Sequence, residues 1–149
     1  EALLTEVPKL TGTDGRKMSK SYQNCIYLSD PPEVIRKQVS SMITDTQRPR
    51  RKDPGDPDRC LAFPYHQLYL PEETLDQIRR DCRSAQLGCV ECKKMLADAL
   101  VQALEPVQAK QRYYADHPDE VRAILADGNA RARKVAQATM AAVRDAMRI

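Results

Sequence analysis

Residues 12–24 read GTDGRKMSKSYQN, in which Arg16, Lys17 and Lys20 fall within five residues and are interleaved with Ser19 and Ser21. A lysine ammonium on a flexible stem suits a phosphate oxygen whose charge grows during a reaction, and neighbouring hydroxyls add donors. Gly12 and Gly15 leave such a loop free to close and reopen. The segment has no helical spacing, so an amphipathic stripe is not a serious rival. The competing reading of its composition is an ordinary basic surface loop.

A second set of reactive side chains follows. Cys60, Cys82, Cys89 and Cys92 are separated by twenty-one, six and two residues, while Cys25 stands apart and reads as a small core residue. A disulfide framework does not suit a helical chain expected in the cytosol. GCVEC (88–92) places two thiols within reach of one metal centre, at the start of a long helical pattern. Free N–H groups and the helix dipole there are expected to favour thiolate, helped by Arg79, Arg80, Arg83, Lys93 and Lys94. Four thiolates suit tetrahedral zinc and equally suit a 4Fe–4S cluster, and spacing alone does not choose between them or exclude buried structural cysteines. A zinc ribbon would more usually show two CxxC knuckles.

The elements that must position these residues are helical. DPPEVIRKQVSSMI (30–43) starts with Asp30 as a candidate cap and Pro31 at the first helical position, followed by Ile35, Val39, Met42 and Ile43 at helical spacing. TDTQRPRRKDPGDPD (44–58) is a long loop. A further helix is expected after Pro64, and another from Pro71 with Leu75 and Ile78 as a narrow apolar stripe. From Gly88 a long helix presents Met95, Leu96, Ala99, Leu100, Ala103, Leu104 and Val107 on one face, with Pro106 expected to kink or break it. HPDEVRAILADGN reads as a short helix ending at Gly128, and ARARKVAQATMAAVRDAMRI as a last amphipathic one. CIYL (25–28) is a candidate short extended piece. The fold class is mainly α.

At 149 residues, with 42% hydrophobic and 30% charged residues, the chain can bury a core and is not disordered in composition. No run approaches the ~18–20 apolar residues needed to span a bilayer. EALLTEVPKL has no signal-peptide pattern, and a start at Glu1 suggests an internal piece of a longer cytoplasmic protein. A net charge of +3 does not by itself announce nucleic acid. TQRPRRK (46–52) carries four positive charges, and Gly128–Ile149 carries five Lys/Arg against one Asp. Both read as solvated faces unless phosphate contacts are supported independently. His66 reads as a packed histidine, His117 as a turn residue, and Tyr113 and Tyr114 as core rather than base-stacking side chains.

Lys17-Met18-Ser19-Lys20-Ser21 is the complete KMSKS signature, and the chain resembles the class I aminoacyl-tRNA synthetases. GTDGRKMSKSYQN, LSDPPEVIRKQV, TDTQRPRRKDPGDPDRC, Tyr65-His66 and GCVECKK resemble the tryptophanyl branch in particular. Gln23 departs from the Gly more common there and is expected to stiffen the loop.

The resemblance implies residues 1–30 as the edge of a Rossmann-type catalytic domain and residues 31–149 as a helical anticodon-binding domain. It implies activation of tryptophan by ATP with Mg2+, then transfer to tRNA(Trp), in a homodimer. Lys20 would hold the leaving pyrophosphate and Lys17 assist. Ser19 and Ser21 would be secondary contacts and Met18 would pack beneath the loop. For the cysteines it implies a 4Fe–4S cluster on Cys60, Cys82, Cys89 and Cys92, with zinc as the alternative. The sequence has no HxGH motif, so this chain alone is not expected to activate tryptophan. The rival readings are a tyrosyl-type synthetase and a stand-alone metal-stabilised helical RNA-binding module.

Overall fold

The computed structural model describes residues 9–149; the start of the chain, through residue 8, lies outside the described residues. Among the described residues five α-helices follow one another: α1 (Pro32–Ser41), α2 (Phe63–Tyr69), α3 (Glu72–Arg83), α4 (Cys89–Asp116) and α5 (Pro118–Met147). Single 3-10 turns occupy Lys20–Tyr22 and Pro57–Arg59. Among the described residues there is no strand, so CIYL is irregular rather than a sheet element.

The chain divides into two compact units, one ending at Val107 and the other spanning Gln108–Ile149. In the first, Ile35, Val39 and Met42 meet Ala62 and Tyr65 and a stripe of α4 made of Leu96, Ala97, Leu100 and Leu104, all buried. This is the expected helical period, shifted round the helix: Met95 and Val107 are exposed and Ala97 takes their place. A smaller cluster joins Phe63 to Leu75 and Ile78 of α3, with Cys60 and Cys92 packed against it.

Prolines set three helix starts in the first unit. α1 begins at Pro32 with Pro31 as cap, one residue later than expected, because the Asp30 carboxylate instead accepts from the Tyr27 N–H at 2.8 Å. α2 starts at Phe63 and α3 directly after Pro71. Two expected breaks do not occur. α4 continues through Pro106 to Asp116, since Pro removes one hydrogen bond while the flanking Ala, Leu, Gln and Lys turns are strong helix formers.

In the second unit α5 runs through Gly128, whose replaced hydrogen would meet nothing within 4 Å. An interior Gly costs about 1 kcal/mol, which a thirty-residue helix tolerates. Tyr113 and Tyr114 are exposed rather than core. Tyr113 stacks on His117 at 4.1 Å and donates to Glu120 at 2.8 Å. Among the described residues no helix is long and apolar enough to cross a membrane.

Candidate functional site

The signature loop is held by a side chain that its composition did not single out. Asn24 is 3% exposed. Its Oδ1 accepts from the Ser19 N–H at 2.8 Å, and its Nδ2 donates to Asp14 Oδ1 at 2.8 Å and to the Lys17 carbonyl at 3.1 Å. The Thr13 N–H donates to the Asn24 carbonyl at 3.0 Å. One buried amide thus closes the loop on itself. A Cβ at Gly12 would stand 2.3 Å from Asn24 Nδ2, so here glycine is needed for close approach.

Asp14 completes the frame. Besides Asn24 it accepts from the Arg16 N–H at 3.0 Å and from Arg16 Nε at 2.7 Å. The Asn24 amide, followed by the Arg16 donors, holds the Asp14 carboxyl down at about 2. Arg16 also lies 4.3 Å from the Tyr22 ring centre. Of the three loop cations, Arg16 is therefore engaged internally. Lys17 and Lys20 are exposed, and no ion pair of the described residues includes either. Ser21 is exposed, Ser19 is half-buried, and Met18 packs against the main core as expected. Gln23 follows the 3-10 turn at φ 51°, the left-handed conformation that explains a glycine preference there.

The helical body grips the root of this loop. The Tyr65 hydroxyl donates to the Thr11 carbonyl, the Ile43 N–H donates to the Thr13 carbonyl at 3.0 Å, and Leu61 lies beneath Gly15.

Cys60, Cys82, Cys89 and Cys92 come together around one cavity of about 20 Å³, which Thr44, Asp45, Arg48 and Leu87 complete. All are half-buried free thiols. Among the described residues no group of three or more His, Cys, Asp or Glu could hold a metal ion as it stands. At Cys92 the expected thiolate bias is reversed. Burial pushes the Cys60 and Cys82 thiols up, with Arg48 acting against it at Cys82, and pushes Cys92 up to about 12. Of the five cations expected to help, Arg79 pairs with Glu72 and Asp76, Arg80 donates to Gln77, Arg83 pairs with Asp58 and Lys93 donates to the Ser40 and Met42 carbonyls, while Lys94 is exposed.

Two buried cation-capable side chains touch the thiols, and neither was read as belonging to them. His66 is fully buried, as a packed histidine should be, yet its Nε2 lies 3.2 Å from Cys92 Sγ and its Nδ1 has no partner. Burial holds it down at about 4, so it is neutral at pH 7. Arg48, read from its run of charges as a surface residue, is 9% exposed and directs Nη1 to Cys89 Sγ at 3.8 Å. Arg50, Arg51 and Lys52 remain exposed. In kind, four free thiols that face one space with a buried guanidinium beside them suit a thiolate-bound metal group, although they do not converge on one point as they stand.

Comparison with known proteins agrees with the loop. Residues 1–105 match the family described as tRNA synthetases class I (W and Y). The chain is 45% identical to the tryptophan–tRNA ligase of Aquifex aeolicus, over all of this chain and 38% of that protein. It is 41% identical to the tryptophan–tRNA ligase of Thermotoga maritima, again over the whole chain and 46% of that protein. A crystal structure of tryptophanyl-tRNA synthetase from Campylobacter jejuni, complexed with ADP and tryptophan, superposes with a TM-score of 0.84 at 29% identity. That match covers all of this chain and 46% of that one. The chain therefore spans less than half the length of these relatives. On the family match, supported by the complete KMSKS string, the chain belongs to the class I tRNA synthetases of the tryptophan and tyrosine group.

Proposed function

We propose that this chain supplies the pyrophosphate-binding loop and the tRNA-binding helices of a tryptophan–tRNA ligase. The observation that carries this reading is the pairing of a fixed frame with two free cations. Asn24 and Asp14 fix the loop backbone while Lys17 and Lys20 stay unpaired and exposed. When tryptophan attacks the α-phosphate of ATP, the bond to pyrophosphate breaks and charge accumulates on the leaving oxygens. Lys20, aided by Lys17 and by the Ser19 and Ser21 hydroxyls, neutralises that charge. Mg2+ enters with ATP as part of the substrate. The tryptophanyl group then passes to tRNA(Trp).

The relatives named above favour the tryptophan enzyme over the tyrosyl rival, since each is a tryptophan–tRNA ligase. Tryptophan-dependent pyrophosphate exchange by the intact gene product tests the reading. Lys20→Ala should lower the exchange rate at least ~100-fold, in line with loss of transition-state charge stabilisation. Exchange supported by tyrosine and not tryptophan would overturn it.

The four cysteines are read as ligands of a 4Fe–4S cluster, with zinc as the second choice. The support for this reading is the spacing of the four cysteines and the one cavity that they share. Cys60, Cys82, Cys89 and Cys92 would hold it, and the group would supply a compact anionic centre that staples the loop after α1 to α3 and α4. Iron, sulfide and zinc analysis of protein purified without oxygen decides between the two.

A further inference from the structure

A buried guanidinium needs an anion, because it stays charged at every ordinary pH and loses its hydration on burial. Arg48 has none among the carboxylates: no ion pair of the described residues includes it. Asp45, three residues upstream, is already engaged by Arg59 at 3.3 Å and by the Gln47 and Asp56 N–H groups, each at 2.9 Å. What Arg48 does meet is two carbonyls and a sulfur. Nη1 donates to the Leu87 carbonyl at 3.0 Å and faces Cys89 Sγ at 3.8 Å, while Nη2 donates to the Arg51 carbonyl at 2.7 Å. Its Nε is buried and unpartnered. The side chain also lies against Gly55, where an added Cβ would stand 3.2 Å from Arg48 Cδ and 2.7 Å from Cys82 Sγ. The sequence is built to let Arg48 reach the cysteines.

We propose that Arg48 is the standing counter-charge of the four-cysteine site and the strut that ties this site to the basic loop 46–52. One arm of the guanidinium faces the Cys89 sulfur, and the other holds the loop backbone at Arg51. This rests on the reading of the cysteines as metal ligands. Four thiolates bring more negative charge than one zinc ion or one oxidised cluster cancels, and Arg48 offsets the excess from within the fold. In return, the bound group fixes Arg48. The exposed side chains of Arg50 and Lys52 are then presented on an ordered backbone, beside an Arg51 that pairs with Glu91 at 3.7 Å and donates to the Gln86 carbonyl at 3.3 Å, so the metal group governs a surface suited to phosphate.

The intact gene product, reconstituted without oxygen using ferrous iron and sulfide, tests this with Arg48→Gln and Arg48→Lys. Loss of the buried positive charge in R48Q should favour the oxidised cluster about tenfold, a potential lower by about 59 mV for one electron. Its visible absorption should also bleach in air about tenfold faster. Trypsin should cut at Arg50, Arg51 or Lys52 about tenfold faster in R48Q than in loaded wild type. R48K keeps the charge but not the second arm, so its potential should stay near wild type while the loop is cut faster; this carries the test if R48Q does not fold. R48Q with wild-type potential, bleaching rate and cleavage rate would overturn the role of Arg48 alone. Wild-type protein that takes up neither iron and sulfide nor, in a parallel arm, Zn2+ would overturn the metal reading, and this proposal with it.

Discussion

The Asn24 side-chain amide reaches back ten residues to the Asp14 carboxylate, 2.8 Å away, and encloses between them the loop that carries Lys17 and Lys20. Neither residue faces outward as the lysines do. What they contribute is the shape of the loop. Asn24→Ala leaves the Ser19 N–H and the Lys17 carbonyl without their buried partner, at about 1–3 kcal/mol. The expected result is a stability loss in that range, read by denaturant titration, with pyrophosphate exchange slowed about tenfold or more at saturating ATP. Unchanged exchange in a folded N24A protein would remove Asn24 from this role.

Gly12→Ala approaches the same amide from the other side. Its methyl would lie 2.3 Å from Asn24 Nδ2 and 2.8 Å from the Asn24 carbonyl oxygen, which belongs to the backbone. The Asn24 side chain is locked by three hydrogen bonds, so overpacking of about 1–3 kcal/mol is expected. Gln23→Gly should go the opposite way. It relieves a left-handed residue at about 1–2 kcal/mol while adding up to about 1 kcal/mol of unfolded-chain entropy. A paired thermal-melt comparison should therefore rank Q23G at or slightly above wild type and G12A clearly below it.

Among the contributions to acid stability, two have distinct pH windows. His66 titrates at about 4 in the fold against 6.5 when unfolded, so the unfolded chain binds more protons and stability falls as pH drops from 6.5 towards 4. Asp14 titrates at about 2 against 3.8, and its contribution is complete above 3.8 and disappears as pH falls towards 2. Denaturation midpoints measured across pH 7 to 2 should show both declines. Asn24→Ala should flatten the lower one, because the Asn24 hydrogen bond is the main cause of the Asp14 shift.

At alkaline pH the thiols take over. The metal-free fold keeps Cys92 protonated up to about 12, whereas the unfolded chain loses that proton near 9. The unfolded state then binds fewer protons, so metal-free protein should lose stability as pH rises from 9 towards 12. Protein loaded with iron and sulfide already holds Cys92 without its proton and should lack this decline. Loading itself should release protons, measurable in weakly buffered solution.

The helical elements were legible because their apolar residues recur at helical spacing and prolines mark their starts. Ile35, Val39, Leu75, Ile78, Leu96, Leu100 and Leu104 are buried as that spacing requires. Pro106 and Gly128 misled, because each weighs against a helix locally while long favourable turns on both sides outvote it. Lys17 and Lys20 were readable from the KMSKS string, but their frame was not, since an Asn after a basic loop looks the same whether buried or exposed. Arg48 was hidden for the opposite reason. It sits in a run of four cations, and only the folded chain shows that one of them turns inward. The Cys92–His66 contact joins residues twenty-six apart and has no local signal.

One short segment serves both the KMSKS loop and the thiol cavity. Within Cys60–Tyr65, the first residue lines the thiol cavity, Leu61 supports Gly15, and Tyr65 fastens the Thr11 carbonyl. A graft of this loop into another scaffold must therefore carry the segment as its footing. The KMSKS string moved by itself would arrive with its lysines and without the floor on which they stand.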